Sequence, residues 1–427
     1  MATAFEVKYD PDNISSMAFW QRPEEEQDIV FERLRETEPV SWQPPPENSL
    51  QPPLDGDGYW AVSRHADILQ VSRDPGTFAA GFGVALDDIP LDLQTRIASL
   101  LAMDAPRHTR LRRVIGRVFT AGRVAQIEAS MRAKAVEIVD ELVERGPCDF
   151  TEAVSLRLPT WISSEVIGIA AGDRATAEAA TATLVGRSDP NFFGDLSPAQ
   201  AMTGALETLE AIGRDLLAAR RSQPRDDLMS RLAQEGEAEE DPLTDLEIIS
   251  CFVILTAAGS QTTSDATSTS MLALSQFPDQ RRRLVADFDS VQRLAVEEFL
   301  RWSTPTHALR RTAMTNTEVG GQAIAKGDKV VMFFKSGNRD SAVFANPYQF
   351  DITRSPNPHL GFGGGGIHHC LGAPLARASL RTIFRELLGR LPDIEVSEPQ
   401  YLVSNILHSI ASMPCTFTRP TRVGIST

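Results

Sequence analysis

Along this chain, stretches whose apolar positions return on one helical face outnumber the short aromatic and β-branched runs that read as strands. Amphipathic segments at residues 123–144 and 160–169 predict helices, and a further helix is predicted over 198–222. Asp104, Ala105 and Pro106 open another that runs through Val118, with proline near the first turn, where its missing N–H is harmless. Residues 242–276 hold few breakers, are apolar around 248–255 and contain no proline after Pro242, so one long helix is expected there. Strands are expected at 58–63, 327–334 and 414–419, with a helical rhythm at 67–73. The polar runs 44–58 and 235–241 read as surface loops. The pattern predicts a mainly α fold with a minor β portion. No linker, repeat or low-complexity tract divides it, so residues 1–427 are expected to form a single domain.

Composition narrows the class. A net charge of −15 argues against nucleic-acid binding and favours solubility. Cys148, Cys251, Cys370 and Cys415 are scattered, without CxxC pairs, which argues against a disulfide framework or a zinc site and suits a reducing cytoplasm. Residues 1–13 are polar and partly acidic, without an apolar core or cleavage signal. No stretch reads as the roughly 18–20 apolar residues that span a bilayer. A cytoplasmic protein without a membrane anchor is expected.

The run FGGGGIHHCLG at residues 362–372 places Cys370 between a glycine-rich turn and a predicted helix at 373–388. A thiol there sits near the positive end of a helix dipole and faces unpaired N–H groups, both of which favour the thiolate. The glycines let the backbone pass close under a flat ligand. A thiolate so presented suits the proximal side of a haem iron. Taken alone, Cys370 reads more readily as a buried cysteine after an ordinary loop, and the rest of the motif reverses that reading. Further motifs accompany it: EFLR at 298–301, AGSQTT at 258–263, HTRLRR at 108–113, and NRD at 338–340 followed by FDITR at 350–354.

In this order and spacing, these runs resemble the cytochrome P-450 superfamily of haem-thiolate monooxygenases, and the resemblance covers nearly the whole chain. It implies a single-domain, mostly helical fold with haem b between a long central helix and the cysteine loop. Cys370 would be the axial ligand of the iron, His368 would reach a haem propionate, and Phe362 would pack near the sulfur and exclude water. Arg311 matches the strand arginine that holds the propionates. His108 and Arg112, four apart on one helix, can face the same propionate. Glu298 and Arg301 would join Arg354 in a buried structural network behind the haem. Arg310 points the other way from Arg311, His359 reads as packed or capping, and His369 carries no catalytic role. The loop from Phe362 to Cys370 is one residue longer than the superfamily's commonest spacing, as in some actinobacterial members acting on sterols, terpenoids and branched lipids.

On the oxygen side the chain departs from the family. Gly259 and Ser260 are poor helix formers and invite a local distortion that makes room for dioxygen. Thr262 would offer its hydroxyl there. The residue before it is usually an acid and here is Gln261, which orients water but cannot shuttle a proton. Asp265, one turn along, is a candidate substitute, and the competing reading is that it bonds polar neighbours. An apolar substrate pocket is expected from Phe82, Phe192, Phe193 and Leu407.

The resemblance implies a monooxygenase that inserts one atom of O2 into a lipophilic small molecule: a steroid, terpenoid or related natural product. No flavin or NAD(P)H fingerprint is present, so electrons would come from a separate ferredoxin and its ferredoxin reductase. Arg110, Arg113 and Arg117, with Arg377, Arg381 and Arg385, would form the basic docking face. The competing readings are a peroxygenase that uses peroxide and a haem-based ligand binder or sensor.

Overall fold

The helix Asp245–Gln276 organises the fold. The computed structural model describes residues 9–47, 49–51, 57–186, 195–237 and 242–419 and shows this helix as 32 uninterrupted residues. Thr244 caps it. Thr244 Oγ1 accepts from Glu247 N at 3.3 Å, while Glu247 Oε2 accepts from Thr244 N at 2.8 Å. That capping box, and not Pro242, sets the start. Ile248, Phe252, Val253, Met271 and Leu274 on this helix are buried, and it packs on the helices Leu91–Ala98, Arg157–Ile167 and Pro198–Ser222. Among the described residues it alone is long and apolar enough to cross a membrane, contrary to the reading of the sequence. Half of its most apolar window is buried inside the fold.

The helix assignment continues without a break through Gly259 and Ser260, where a distortion was expected. The bare glycine instead admits the neighbouring helix, since a Cβ at 259 would lie 2.9 Å from Ser163 Oγ. The turn also keeps its bonds filled, with Thr262 Oγ1 donating to the Ala258 carbonyl at 2.9 Å.

Other helices follow their local signals. Pro198–Ser222 begins at a Ser197–Gln200 capping box with proline in its first turn. The helix read at 104–118 shortens to Arg107–Gly116 because Pro106 serves as its cap. Ala121–Arg145, Arg157–Ile167 and Ala373–Arg390 lie where amphipathic periodicity placed them. Phe252, Phe299, Phe350 and Phe384 belong to the buried cluster that joins the helical layer.

The minor β portion is mainly one five-stranded sheet. Its order is Val40–Gln43, Tyr59–Val62, Lys329–Phe333, Ala308–Ala313 and Phe78–Ala79. Tyr59–Val62 runs parallel to Lys329–Phe333, and Ala308–Ala313 runs antiparallel to it, with Arg311 opposite Val330. The strand expected at 414–419 narrows to Pro414–Thr416, paired with Cys148–Asp149 and Glu395–Val396.

Candidate functional site

The Cys370 loop has a backbone that side chains would not permit. Gly363, Gly365 and Gly366 take φ of +85°, +88° and +73°. A Cβ on Gly364 would lie 2.7 Å from Ser72 Cβ, so the loop lies flat against the helix His65–Arg73. Ser72 Oγ and Arg73 Nε hold it there, donating to the Gly365 and Gly364 carbonyls at 3.0 and 3.1 Å. Cys370 N closes the loop by donating to the Phe362 carbonyl at 3.1 Å. The Phe362 ring is capped by the Arg377 guanidinium, 4.5 Å from its centroid, and Arg377 is itself held by Glu297 at 2.6 and 2.8 Å.

The Cys370 side chain opens on a cavity of about 430 Å³. Burial pushes its thiol up, against the opposing pull of the Gly372 and Ala373 N–H groups and the Arg112 and Arg377 charges. The N–H groups at the helix end thus favour the thiolate, as expected from the sequence, and burial opposes them. A coordinating metal ion would favour the thiolate outright.

His108 and Arg112 reach the same cavity from their helix, and His368 reaches it from the loop. The rings of His108 and His368 stand 4.4 Å apart, and Arg112 donates to the His369 carbonyl. Arg311 is buried nearby, with Nη1 donating to the Arg310 carbonyl at 2.7 Å. Both ring nitrogens of His108 and Nε2 of His368 are buried without a hydrogen-bond partner among the described residues. No carboxylate among the described residues forms an ion pair with Arg112 or Arg311. Burial, reinforced by Arg112, holds His108 down to about 4. Burial, reinforced by Arg311, holds His368 down to about 3, and burial lowers Arg311 to about 10. Cationic groups desolvated without an anion are costly unless a ligand brings the charge. A haem, with two propionates beside a thiol-coordinated iron, fits this donor set.

Thr262 lines the cavity together with Ala258 and Gly259. Gln261 does not face it in the same way. Gln261 Nε2 donates to Asp265 Oδ1 at 2.8 Å, and the other Asp265 oxygen accepts from Ser409 Oγ at 2.7 Å. Asp265 is 1% exposed and lies outside the cavity lining, and burial pushes it up to about 7. Its side-chain partners are Gln261 and Ser409, the latter 144 residues away and invisible to local sequence reasoning, and the Ile410 N–H also points to it.

The structure brings Glu298, Arg301 and Arg354 together. Arg301 makes a two-pronged pair with Glu298 at 2.7 and 2.8 Å, and Arg354 Nε reaches the same carboxylate at 3.2 Å. Leu407 lines the cavity, as do Ile406, Thr306 and Leu309. Phe82 does not: it is 58% exposed, and Val84 and Ala85 from the same loop face the cavity in its place. The positive φ of Gly83 turns the chain between them. Phe192 and Phe193 lie outside the described residues. Arg310, on the opposite face of its strand from Arg311, pairs with Asp88 at 2.6 Å.

The arginine faces are also less uniform than their spacing indicates. Arg110 pairs with Glu247 at 3.1 Å, Arg377 with Glu297, and Arg385 with Asp289. Arg113 and Arg117 are exposed, and Arg381 is half-buried.

The Cytochrome P450 family model matches residues 200–397. The chain is 37% identical over 412 residues to the methyl-branched lipid omega-hydroxylase of Mycobacterium tuberculosis, covering 95% of this chain and 94% of the relative. It is 34% identical to the steroid C26-monooxygenase of Mycolicibacterium smegmatis, covering 92% and 91%. Among solved structures, the Mycobacterium marinum cytochrome P450 CYP268A2 in complex with pseudoionone is 44% identical with a TM-score of 0.93, over 97% of this chain and all of the other. With this similarity extending over nearly its whole length, and with the fold and cysteine loop to match, the chain belongs to the cytochrome P450 family of haem monooxygenases.

Proposed function

We propose that Cys370 is the axial thiolate of the haem, that His108, Arg112, Arg311 and His368 hold its propionates, and that the substrate is a methyl-branched or steroidal lipid. One observation carries the site assignment: buried, partnerless donors on His108 and His368, with Arg311 beside them, flank the one cysteine that opens on the cavity. The haem supplies the redox chemistry that places one atom of O2 in the substrate and sends the other to water.

The chain's own residues set the conditions. Phe362, packed under Arg377, keeps water from the thiol. Thr262 presents a hydroxyl to the oxygen side of the cavity, and Gln261, an amide that carries no titratable proton, is held beside it by Asp265. Ile97, Leu100, Ile162, Val166, Leu309 and Leu407 give the cavity apolar walls suited to a hydrocarbon chain. The relatives' names, a methyl-branched lipid hydroxylase and a steroid monooxygenase, support that class. Electrons come from a ferredoxin, reduced by its reductase, docking where Arg113 and Arg117 stand exposed on an otherwise acidic protein.

Titration of the purified haem protein with pseudoionone, a methyl-branched fatty acid and a sterol tests the substrate class, read by the shift of the haem absorption band. At least one should bind and yield a hydroxylated product that depends on O2 and on a ferredoxin system. No shift with any of them would overturn this substrate reading.

A further inference from the structure

Three carboxylates from three separate parts of the chain converge on residues 405–409. Asn405 Nδ2 donates to Asp87 Oδ1 at 2.7 Å, His408 meets Glu24 in an ion pair, and Ser409 Oγ donates to Asp265 Oδ2 at 2.7 Å. Asp87 and Asp265 are 2% and 1% exposed. Between these anchored residues, Ile406 and Leu407 enter the cavity. The backbone is pinned too, with His307 N donating to the Ile406 carbonyl at 2.7 Å and His408 N to the Pro305 carbonyl at 2.9 Å. Asp87 belongs to the loop whose Val84 and Ala85 also line the cavity, and Asp265 belongs to the central helix one turn from Thr262.

We infer that Asp265 is a positioning residue that couples the substrate-contact segment to the oxygen side through its paired hydrogen bonds to Ser409 and Gln261. Both its oxygens are engaged, and it does not line the cavity. It therefore acts through its neighbours. Ser409 holds the backbone that aims Ile406 and Leu407, and Gln261 is the residue next to Thr262. A displacement of Leu407 by substrate is transmitted through Ser409 and Asp265 to the Gln261 amide. Regiochemistry and the coupling of electrons to product are then set by one link. A proton-relay role for Asp265 would require the ionisable carboxyl itself; a positioning role requires only the two hydrogen bonds.

The two roles separate in one variant series. Asp265→Asn can keep both side-chain bonds, since its amide both donates and accepts and either Ser409 Oγ or the Gln261 amide can turn to accept from it. Ser409→Ala and Asp265→Ala break the link. This inference rests on the proposed lipid-monooxygenase reading, so the holoenzyme is assayed with pseudoionone for the ratio of oxidised positions and for the share of electrons lost to hydrogen peroxide. A second readout needs no substrate: amide hydrogen exchange across residues 402–410. The expected result is a several-fold change in product ratio, increased peroxide and at least tenfold faster exchange at His408 in Ser409→Ala and Asp265→Ala, with Asp265→Asn near the unmodified protein in all three. Should Asp265→Ala fail to retain haem, Ser409→Ala, which removes only a hydroxyl, decides the matter. Asp265→Asn as uncoupled as Asp265→Ala at an unchanged product ratio would overturn positioning in favour of proton delivery. Ser409→Ala indistinguishable from the unmodified protein would overturn the link. If pseudoionone is not oxidised, the product ratio is read with whichever of the branched fatty acid and the sterol binds, and hydrogen exchange supports or overturns the link in either case.

Discussion

Gln261 and Asp265, one turn apart on the central helix, share a 2.8 Å hydrogen bond in which the Gln261 amide donates to a carboxyl group whose other oxygen is held by Ser409. Where the family usually places an acid beside the oxygen-side threonine, this chain places an amide and sets its acid a turn deeper. Burial pushes Asp265 from its ordinary 3.8 up to about 7. Its folded value is therefore above its unfolded one, so its contribution to stability is complete below about pH 4 and is lost as pH rises through about 7. At roughly 1.4 kcal/mol per pH unit, the loss is at most about 4 kcal/mol. Asp265→Asn should match the unmodified protein at pH 4 and exceed it in melting temperature at pH 8. Equal melting temperatures at pH 8 would show that the carboxyl ionises there at no cost.

Thr262 should limit the loss of reducing equivalents. Thr262→Ala is expected to divert several-fold more of them to hydrogen peroxide while leaving substrate affinity unchanged. Gln261→Glu should keep or raise turnover, because it restores a titratable group at that position. Stoichiometry of electron donor consumed, peroxide formed and product formed checks both. Full coupling in Thr262→Ala, with the unmodified protein preferring peroxide to ferredoxin, would promote the peroxygenase reading.

Arg311 lies buried, and no carboxylate among the described residues forms an ion pair with it. Removing it should leave the haem-free fold no less stable, since a desolvated charge is deleted, yet should weaken haem binding. A charge-assisted bond of about 1.5–3 kcal/mol corresponds to a roughly 10- to 150-fold faster loss of haem from Arg311→Ala to an acceptor apoprotein. Unchanged haem loss would remove Arg311 from the propionate set.

How much of this was legible in the sequence depended on where each signal lay. Helix Pro198–Ser222 was readable because Ser197, Pro198 and Gln200 sit side by side in the chain. The cysteine loop was readable because its glycines and its thiol are contiguous. The pairings of Arg377 and Arg385 were not legible because Glu297 and Asp289, their partners, lie 80 and 96 residues away on another helix. Phe82 was misplaced for a local reason: Gly83 reverses the chain, and periodicity gives no side-chain direction in a loop. Gly259 was legible only as a poor helix former, and its close approach to Ser163 is a tertiary fact with no local trace.

The proposed docking face is tested at its exposed arginines. Arg113→Glu with Arg117→Glu should lower ferredoxin-driven turnover at least several-fold and flatten its salt dependence, with substrate affinity unchanged. Arg377→Glu should behave differently, because it breaks the Glu297 pair and uncovers Phe362, and should perturb the haem spectrum. Stopped-flow reduction at several ionic strengths distinguishes the two. Unaltered reduction in the double variant would move the docking site elsewhere.

The assignment on which the rest depends is the thiolate. Reduced protein under carbon monoxide should show the red-shifted Soret band that a cysteine-thiolate ligand produces, and Cys370→Ala should lose it, whereas Cys148→Ala and Cys251→Ala should keep it. Persistence of that band in Cys370→Ala would contradict the account at its centre.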